Sequence, residues 1–265
     1  MNIALIGCGA IGASVLELLA GHPDVRVRWV LVTAISGGAL DMVARHAPSA
    51  RVLTVLPSDA MPDLMVECAG HGAIEAHALP ALARGIPLVL ASIGALSVPG
   101  MIERIQAAAD AGKVQVQLLS GAIGGMDALA AARVGGLDEV VYTGRKPPRA
   151  WFGTPAESAC DLAGLEAARC FFDGSAREAA QRYPKNANVA ATLALAGMGL
   201  DRTRVRLFAD PGVDENVHHV AARGAFGEME LTMRGKPLVA NPKTSSLTVY
   251  SVVRAVLNRV APVAI

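Results

Sequence analysis

From residue 3 to residue 118, short apolar runs alternate with stretches of helical period. The strand-like runs are 3–6, 25–33, 51–55, 64–67, 87–91 and 114–118, and the helical stretches between them are 11–20, 38–46, 73–84 and 99–111. Strands that alternate with helices in this way predict an α/β fold, a doubly wound parallel sheet joined by right-handed crossovers. Pro80 is expected to kink or interrupt the third helix.

After Gly121 the rhythm changes. Residues 205–209 and 216–223 read as strands, and Met229, Leu231 and Met233 alternate with polar residues in a third, with Gly224 and Gly235 as punctuation. Between residues 175 and 200 lie two helical patterns broken at Tyr183-Pro184. Strand signals in succession without helices between them predict an antiparallel sheet with helices on one face, a second α+β domain. In the tail, Thr244 or Ser245 is placed to cap a helix carrying Leu247, Tyr250, Val253, Leu257 and Val260. The expected division is residues 1–122 plus 243–265 for the first domain and 123–242 for the second, the latter expected to carry substrate binding, catalysis and dimerisation.

Composition narrows the class. Apolar residues are 52% of the chain and charged residues 18%, enough apolar content for a sizeable core. With 24 basic residues against 23 acidic ones and no basic tract, nucleic acid is not the expected partner. A mean hydropathy of +0.40 raises the question of a membrane. The longest uncharged stretch, 85–102, is broken by glycines, prolines and serines and reads as strand, loop and helix start, so no membrane span is expected. The uncharged residues 2–16 carry no cationic leader and read as strand, glycine turn and helix. Cys8, Cys68, Cys160 and Cys170 form neither a CxxC pair nor a zinc-spaced cluster, so a reduced, cytoplasmic protein without structural metal is expected.

Gly7-Cys8-Gly9-Ala10-Ile11-Gly12 is a GxGxxG that follows a strand and opens a helix. Gly7 permits the tight turn, Gly9 lets the backbone approach a pyrophosphate, and Gly12 lets helix and strand pack closely. The free N–H groups of the helix start, at Ala10 and Ile11, then receive phosphate oxygens. In this strand–helix context the motif is a dinucleotide fingerprint of a Rossmann-type sheet. The acidic residue expected about 20 positions further on is absent. The second strand ends Leu31-Val32-Thr33-Ala34-Ile35-Ser36, where Thr33 and Ser36 offer hydroxyls to the ribose and nothing repels a 2′-phosphate, so NAD or NADP is expected. Further contacts are expected at Cys68-Ala69-Gly70, Ser92-Ile93-Gly94 and Ser120-Gly121-Ala122, at the carboxyl ends of later strands.

Four polar segments close or open elements of the second half: Thr143–Pro148, Tyr183–Asn188, Asp214–His219 and Asn241–Ser245. Lys185, Lys243, Arg145 and Lys146 supply positive charge for an anionic substrate. His218 and His219 are adjacent on a strand and so point to opposite faces, and spacing does not choose between them. A histidine titrating near neutrality is a natural proton acceptor in alcohol or amine oxidation.

Taken together, the amino-terminal GxGxxG, Ser120-Gly121-Ala122-Ile123-Gly124-Gly125, Lys185-Asn186-Ala187-Asn188-Val189-Ala190, Asn216-Val217-His218 and Asn241-Pro242-Lys243-Thr244-Ser245 resemble the L-aspartate dehydrogenase family over nearly the whole chain. The resemblance implies oxidation of L-aspartate by NAD or NADP to iminosuccinate, which water converts to oxaloacetate and ammonia, with a role in supplying the imine for NAD biosynthesis. It implies that His218 is catalytic, that Ala122 and Asn188 bind nucleotide, that His219 is structural, and that the protein is a homodimer.

On this reading His218 accepts a proton from the amine or from the attacking water, and Lys185, Lys243, Thr244 and Ser245 are candidate donors to the substrate carboxylates. The alternatives are another two-domain dehydrogenase or reductase, acting on homoserine, a dihydrodipicolinate-type ring or a 2-keto acid, and a non-catalytic dinucleotide sensor. A methyltransferase also carries a glycine-rich first turn, but the motifs of the second half favour a dinucleotide.

Overall fold

The computed structural model describes residues 1–184, 188–238 and 240–265, with the backbone alone at residues 242 and 243. The chain divides into two compact units: Met1–Leu119 with Thr248–Ile265, and Ser120–Leu247.

In the first unit, β1 (Asn2–Ile6), β2 (Arg26–Leu31), β3 (Arg51–Leu53), β4 (Leu64–Glu67), β5 (Leu88–Leu90) and β6 (Val116–Leu118) form one parallel sheet. Its order is β3-β2-β1-β4-β5-β6, so the direction of winding reverses between β1 and β4. Ligands of such sheets lie beyond the carboxyl ends of the strands at this reversal. Central strands are covered on both faces, which is why β1 and β4 are mostly apolar, with Ile3, Leu5, Met65 and Val66 buried.

The helices α1 (Ala10–Leu19), α2 (Gly37–His46), α3 (Leu79–Ala83) and α4 (Met101–Gly112) make the crossovers. Helix α1 buries Gly12, Val15, Leu16 and Leu19, one stripe at helical spacing. Ser36 caps α2 by accepting from the Ala39 N–H at 3.3 Å. Pro80 does interrupt the third helical stretch. A wider π turn, Ile74–Ala78, gives way to α3, and Pro80 falls in the first turn of α3, where a missing N–H costs least.

The second unit holds α5 (Met126–Gly135), β7 (Leu137–Lys146), α6 (Ala156–Ala159), β8 (Arg169–Ser175), α7 (Ala176–Arg182), α8 (Asn188–Ala196), β9 (Arg204–Ala209), β10 (Asn216–Gly224) and β11 (Gly227–Gly235). Its sheet runs β11-β10-β7-β9-β8. The expectation of an antiparallel sheet is corrected here: β7 and β9 are parallel, while the other pairs are antiparallel, so the sheet is mixed. The physical reason is β7, unread in the sequence pattern. It takes the centre and pairs on one side with β9 and on the other with β10, keeping those two consecutive strands apart.

The Tyr183-Pro184 break between helical patterns is present between α7 and α8, and Ser175 with Glu178 forms a reciprocal capping box at the start of α7. Val140, Tyr142 and Gly144 of β7 share one buried face with His218, Val220 and Ala222 of β10. Helices α5 and α8 pack on that face, where a Cβ on Gly197 would lie 3.3 Å from Val140 and 3.4 Å from Leu129.

A short hairpin, β12 (Pro237–Leu238) with β13 (Asn241–Ser245), ends the second unit. Ser245 then accepts from the Leu247 N–H at 3.3 Å and opens α9 (Ser246–Leu257), which from Thr248 onward belongs to the first unit. Among the described residues no helix is long and apolar enough to cross a membrane.

Candidate active site

The glycine turn joins β1 to α1. Gly7 has φ +95°, and a Cβ there would lie 2.7 Å from the Ala69 Cα. A Cβ on Gly12 would lie 2.1 Å from the Gly7 carbonyl oxygen. These two glycines are dictated by backbone against backbone. Gly9 is different, because a Cβ there would meet nothing within 4 Å. The space above it is open, and the start of α1 carries no side-chain cap and no acidic residue in its first turn. Uncapped N–H groups at Ala10 and Ile11 beside open space fit a pyrophosphate.

Glu67, the last residue of β4, went unread in the sequence. It is fully buried (0% exposed). One carboxylate oxygen accepts from the Ala69 and Gly70 N–H groups and the Ser92 hydroxyl, each at 2.8 Å. The other accepts from the Ser92 N–H at 2.8 Å and the Ala91 N–H at 3.3 Å. One side chain therefore ties together the loops after β4 and β5 and holds Ala69 against Gly7. A carboxylate closing a buried apolar run was the signal available. Cys68 beside it is buried, and its thiol is pushed well above its usual range by burial and by the Glu67 charge. Thr33 is exposed just past β2, while the Ser36 hydroxyl is engaged in capping α2.

In the second unit the two histidines of β10 face opposite ways. Nδ1 of His219 lies 2.9 Å from the Thr232 hydroxyl on the more open face. His218 is 3% exposed. Its Nδ1 lies 2.8 Å from the Tyr142 hydroxyl, and its Nε2, also buried, has no hydrogen-bond partner among the described residues. Burial first, and then the charge of Lys146, lower the imidazole pKa to about 4. Burial also raises the Tyr142 phenol pKa, so it stays neutral. The imidazole is therefore neutral, with one nitrogen anchored and the other bare, so Nε2 offers a lone pair or an N–H according to the tautomer.

Other expected site residues are distributed as follows. Ala122 is half-buried in the loop ahead of α5, where the Gly124 N–H meets Met233 Sδ at 2.9 Å; Met233 lies directly across from His218 in the β10–β11 pairing. Asn188 opens α8, and its carbonyl accepts from the Thr192 hydroxyl at 2.7 Å. The Thr244 hydroxyl accepts from the Asn241 side-chain amide at 3.1 Å. Lys185 and the side chain of Lys243 lie outside the described residues. Arg145 turns to the opposite sheet face, 3.3 Å from Asp210 and 4.2 Å above the Phe208 ring. Among the described residues no group of His, Cys, Asp and Glu is placed to hold a metal ion.

A doubly wound sheet with a glycine cradle for a pyrophosphate, and a second unit with a buried, half-bonded imidazole, define the class of two-unit dehydrogenases that use a nicotinamide dinucleotide. Residues 127–259 match the family model "Aspartate dehydrogenase, C-terminal", and residues 7–119 match "Homoserine dehydrogenase, NAD binding domain". The chain belongs to the aspartate dehydrogenase family. It is 71% identical to an L-aspartate dehydrogenase of Polaromonas sp. over 98% of this chain and 97% of that one. It is 62% identical to the L-aspartate dehydrogenase of Pseudomonas aeruginosa over the full length of both. The crystal structure of aspartate dehydrogenase from Thermotoga maritima superposes with a TM-score of 0.78 at 27% identity, covering 100% of this chain and 99% of that one.

Proposed function

We propose that the protein oxidises L-aspartate with NAD or NADP to iminosuccinate, which water converts to oxaloacetate and ammonia. The observation that carries this reading is His218, neutral, buried, fixed at Nδ1 and bare at Nε2. When bound, a nicotinamide dinucleotide would supply the hydride acceptor for the substrate Cα. The backbone around Gly7, Gly9, Ala10, Ile11 and Gly12 holds the pyrophosphate, with Thr33, Cys68, Ala69, Ala122 and Asn188 as further nucleotide contacts.

His218 Nε2 accepts a proton from the substrate amine or from the water that attacks the imine. Tyr142 keeps the ring from turning. Lys185, Lys243, Thr244 and Ser245 donate to the carboxylates, and the Thr244 and Ser245 hydroxyls each keep a hydrogen to donate beyond the bonds they accept. The lack of any carboxylate between Val32 and Gly38 supports use of both nucleotides.

The family also supports a homodimer, and the iminosuccinate product supports a place ahead of NAD biosynthesis. Four free cysteines fit a reducing compartment, the cytoplasm. The test is the rise in reduced-nicotinamide absorbance on adding L-aspartate, with each nucleotide and with glutamate and alanine as controls. A rise with aspartate well above both controls is expected, and its absence with both nucleotides rejects the reaction.

A further inference from the structure

We propose that Glu67 is a positioning residue for the dinucleotide: its carboxylate sets the loops after β4 and β5 in place before the nucleotide arrives, so affinity depends on a side chain that does not touch the ligand. This rests on the dinucleotide site read at the glycine turn.

Glu67 closes β4 and pairs in register with Ile6, the residue before Gly7, so it stands where the winding of the sheet reverses. Ligands of doubly wound sheets lie beyond the strand ends at that point. The residues that follow Glu67 run directly beside the glycine turn. The Cys68 N–H donates to the Ile6 carbonyl at 2.8 Å, and a Cβ on Gly7 would lie 2.7 Å from the Ala69 Cα.

What keeps Ala69 at that place is Glu67. The Ala69 and Gly70 N–H groups converge on one of its carboxylate oxygens, each at 2.8 Å, and Gly70 makes the bend at φ +122°. Successive amides aimed at one anion form the kind of concavity that elsewhere binds phosphate, and here the chain fills it with its own carboxylate. The Ser92 hydroxyl donates to the same oxygen at 2.8 Å, and the Ser92 and Ala91 N–H groups donate to the other oxygen at 2.8 and 3.3 Å. The loop after β5 is thereby tied to the loop that abuts Gly7.

Packing alone does not account for an anion here. Glu67 is fully buried, makes no ion pair among the described residues, and follows the apolar Leu64, Met65 and Val66. An apolar residue fills a buried strand end at less cost than a carboxylate. What the carboxylate adds is acceptance from two loops at once, and a ligand that meets loops already fixed loses no free energy in ordering them.

Glu67→Gln keeps the shape and replaces one acceptor oxygen by an NH2 group that faces donors, whichever way the amide turns. The Kd for NADH or NADPH, whichever the parent protein binds more tightly, is expected to rise at least roughly tenfold in a fluorescence titration. With L-aspartate as substrate, the KM for the dinucleotide is expected to rise by a similar factor, while kcat at saturating dinucleotide stays within about threefold. A Kd within about twofold of the parent value overturns the proposal. So does the reverse split, an unchanged KM with kcat lowered in step with the folded fraction, which is the result of a merely structural role.

The second arm uses the unaltered protein, so it decides even if the variant does not fold. Without dinucleotide, the Ala69, Gly70 and Ser92 amides are expected to exchange with deuterium at least roughly 100-fold more slowly than in an unstructured peptide, as read by NMR. Exchange at unstructured-peptide rates until dinucleotide is added overturns the proposal. A parent protein that binds neither nucleotide rejects the dinucleotide site itself, whereas a parent and a variant that bind equally well reject only the role of Glu67.

Discussion

The Tyr142 hydroxyl lies 2.8 Å from Nδ1 of His218, with the two rings 6.0 Å apart and only 19° from parallel. The phenol thus both bonds and stacks against the imidazole, leaving Nε2 as the ring nitrogen without a hydrogen bond among the described residues. Tyr142→Phe keeps the stacked ring and loses the bond. Steady-state kinetics should show kcat for aspartate lowered roughly 5- to 10-fold, with dinucleotide affinity unchanged.

His218→Ala should lower kcat roughly 10²- to 10⁴-fold while leaving dinucleotide binding intact, as measured by turnover and by titration of protein fluorescence. Turnover close to the parent's would remove His218 from the mechanism.

The same imidazole links stability to pH. Its pKa is about 4 in the folded chain against an ordinary 6.5. A lowered folded pKa means that the unfolded chain binds the proton more readily. The associated stability is complete above pH 6.5 and is lost as the pH falls from there toward 4. Over that window the Tm of the parent protein should fall more steeply than that of His218→Gln, as followed by calorimetry.

The glycines of the first turn should separate by substitution. Gly12→Ala drives a methyl into the Gly7 carbonyl, so it should destabilise the first unit by about 1–3 kcal/mol or more, seen as a drop in Tm. Gly9→Ala meets no protein atom, so Tm should hold while dinucleotide affinity falls at least roughly tenfold. Equal effects of the two on Tm would contradict the open cradle above Gly9.

Thr33 stands exposed just past β2, and in dinucleotide-binding sheets the end of the second strand is where a carboxylate repels a 2′-phosphate. Thr33→Asp should lower kcat/KM with NADP at least roughly tenfold and leave NAD little affected, as read from paired initial rates. A parallel loss with both nucleotides would place Thr33 away from the 2′ position.

The first unit was legible because its signals are local. An apolar run bounded by turn residues is a buried parallel strand, and β4 begins and ends at the residues read from the pattern. The mixed sheet was less so. Its central strand β7 carries exposed Asp138 and Glu139 directly after its first residue, and Gly144 interrupts the side that carries Val140 and Tyr142, so no clean alternation marks it. Strand order is also set by tertiary pairing, which neighbouring residues do not encode. At the site, a period of two separates His218 from His219, but which one turns inward depends on Tyr142, 76 residues away in the chain. Glu67 stayed hidden for a related reason: its five donors come from loop amides and a hydroxyl, and such amides leave no trace in side-chain pattern.

That convergence on Glu67 also decides how the loops after β4 and β5 behave. Loops ordinarily drift independently of one another, yet here two of them are keyed to a single interior carboxylate, so neither can move away without giving up bonds to the side chain that also holds the other. A lesion at that one carboxylate would unfasten both loops together.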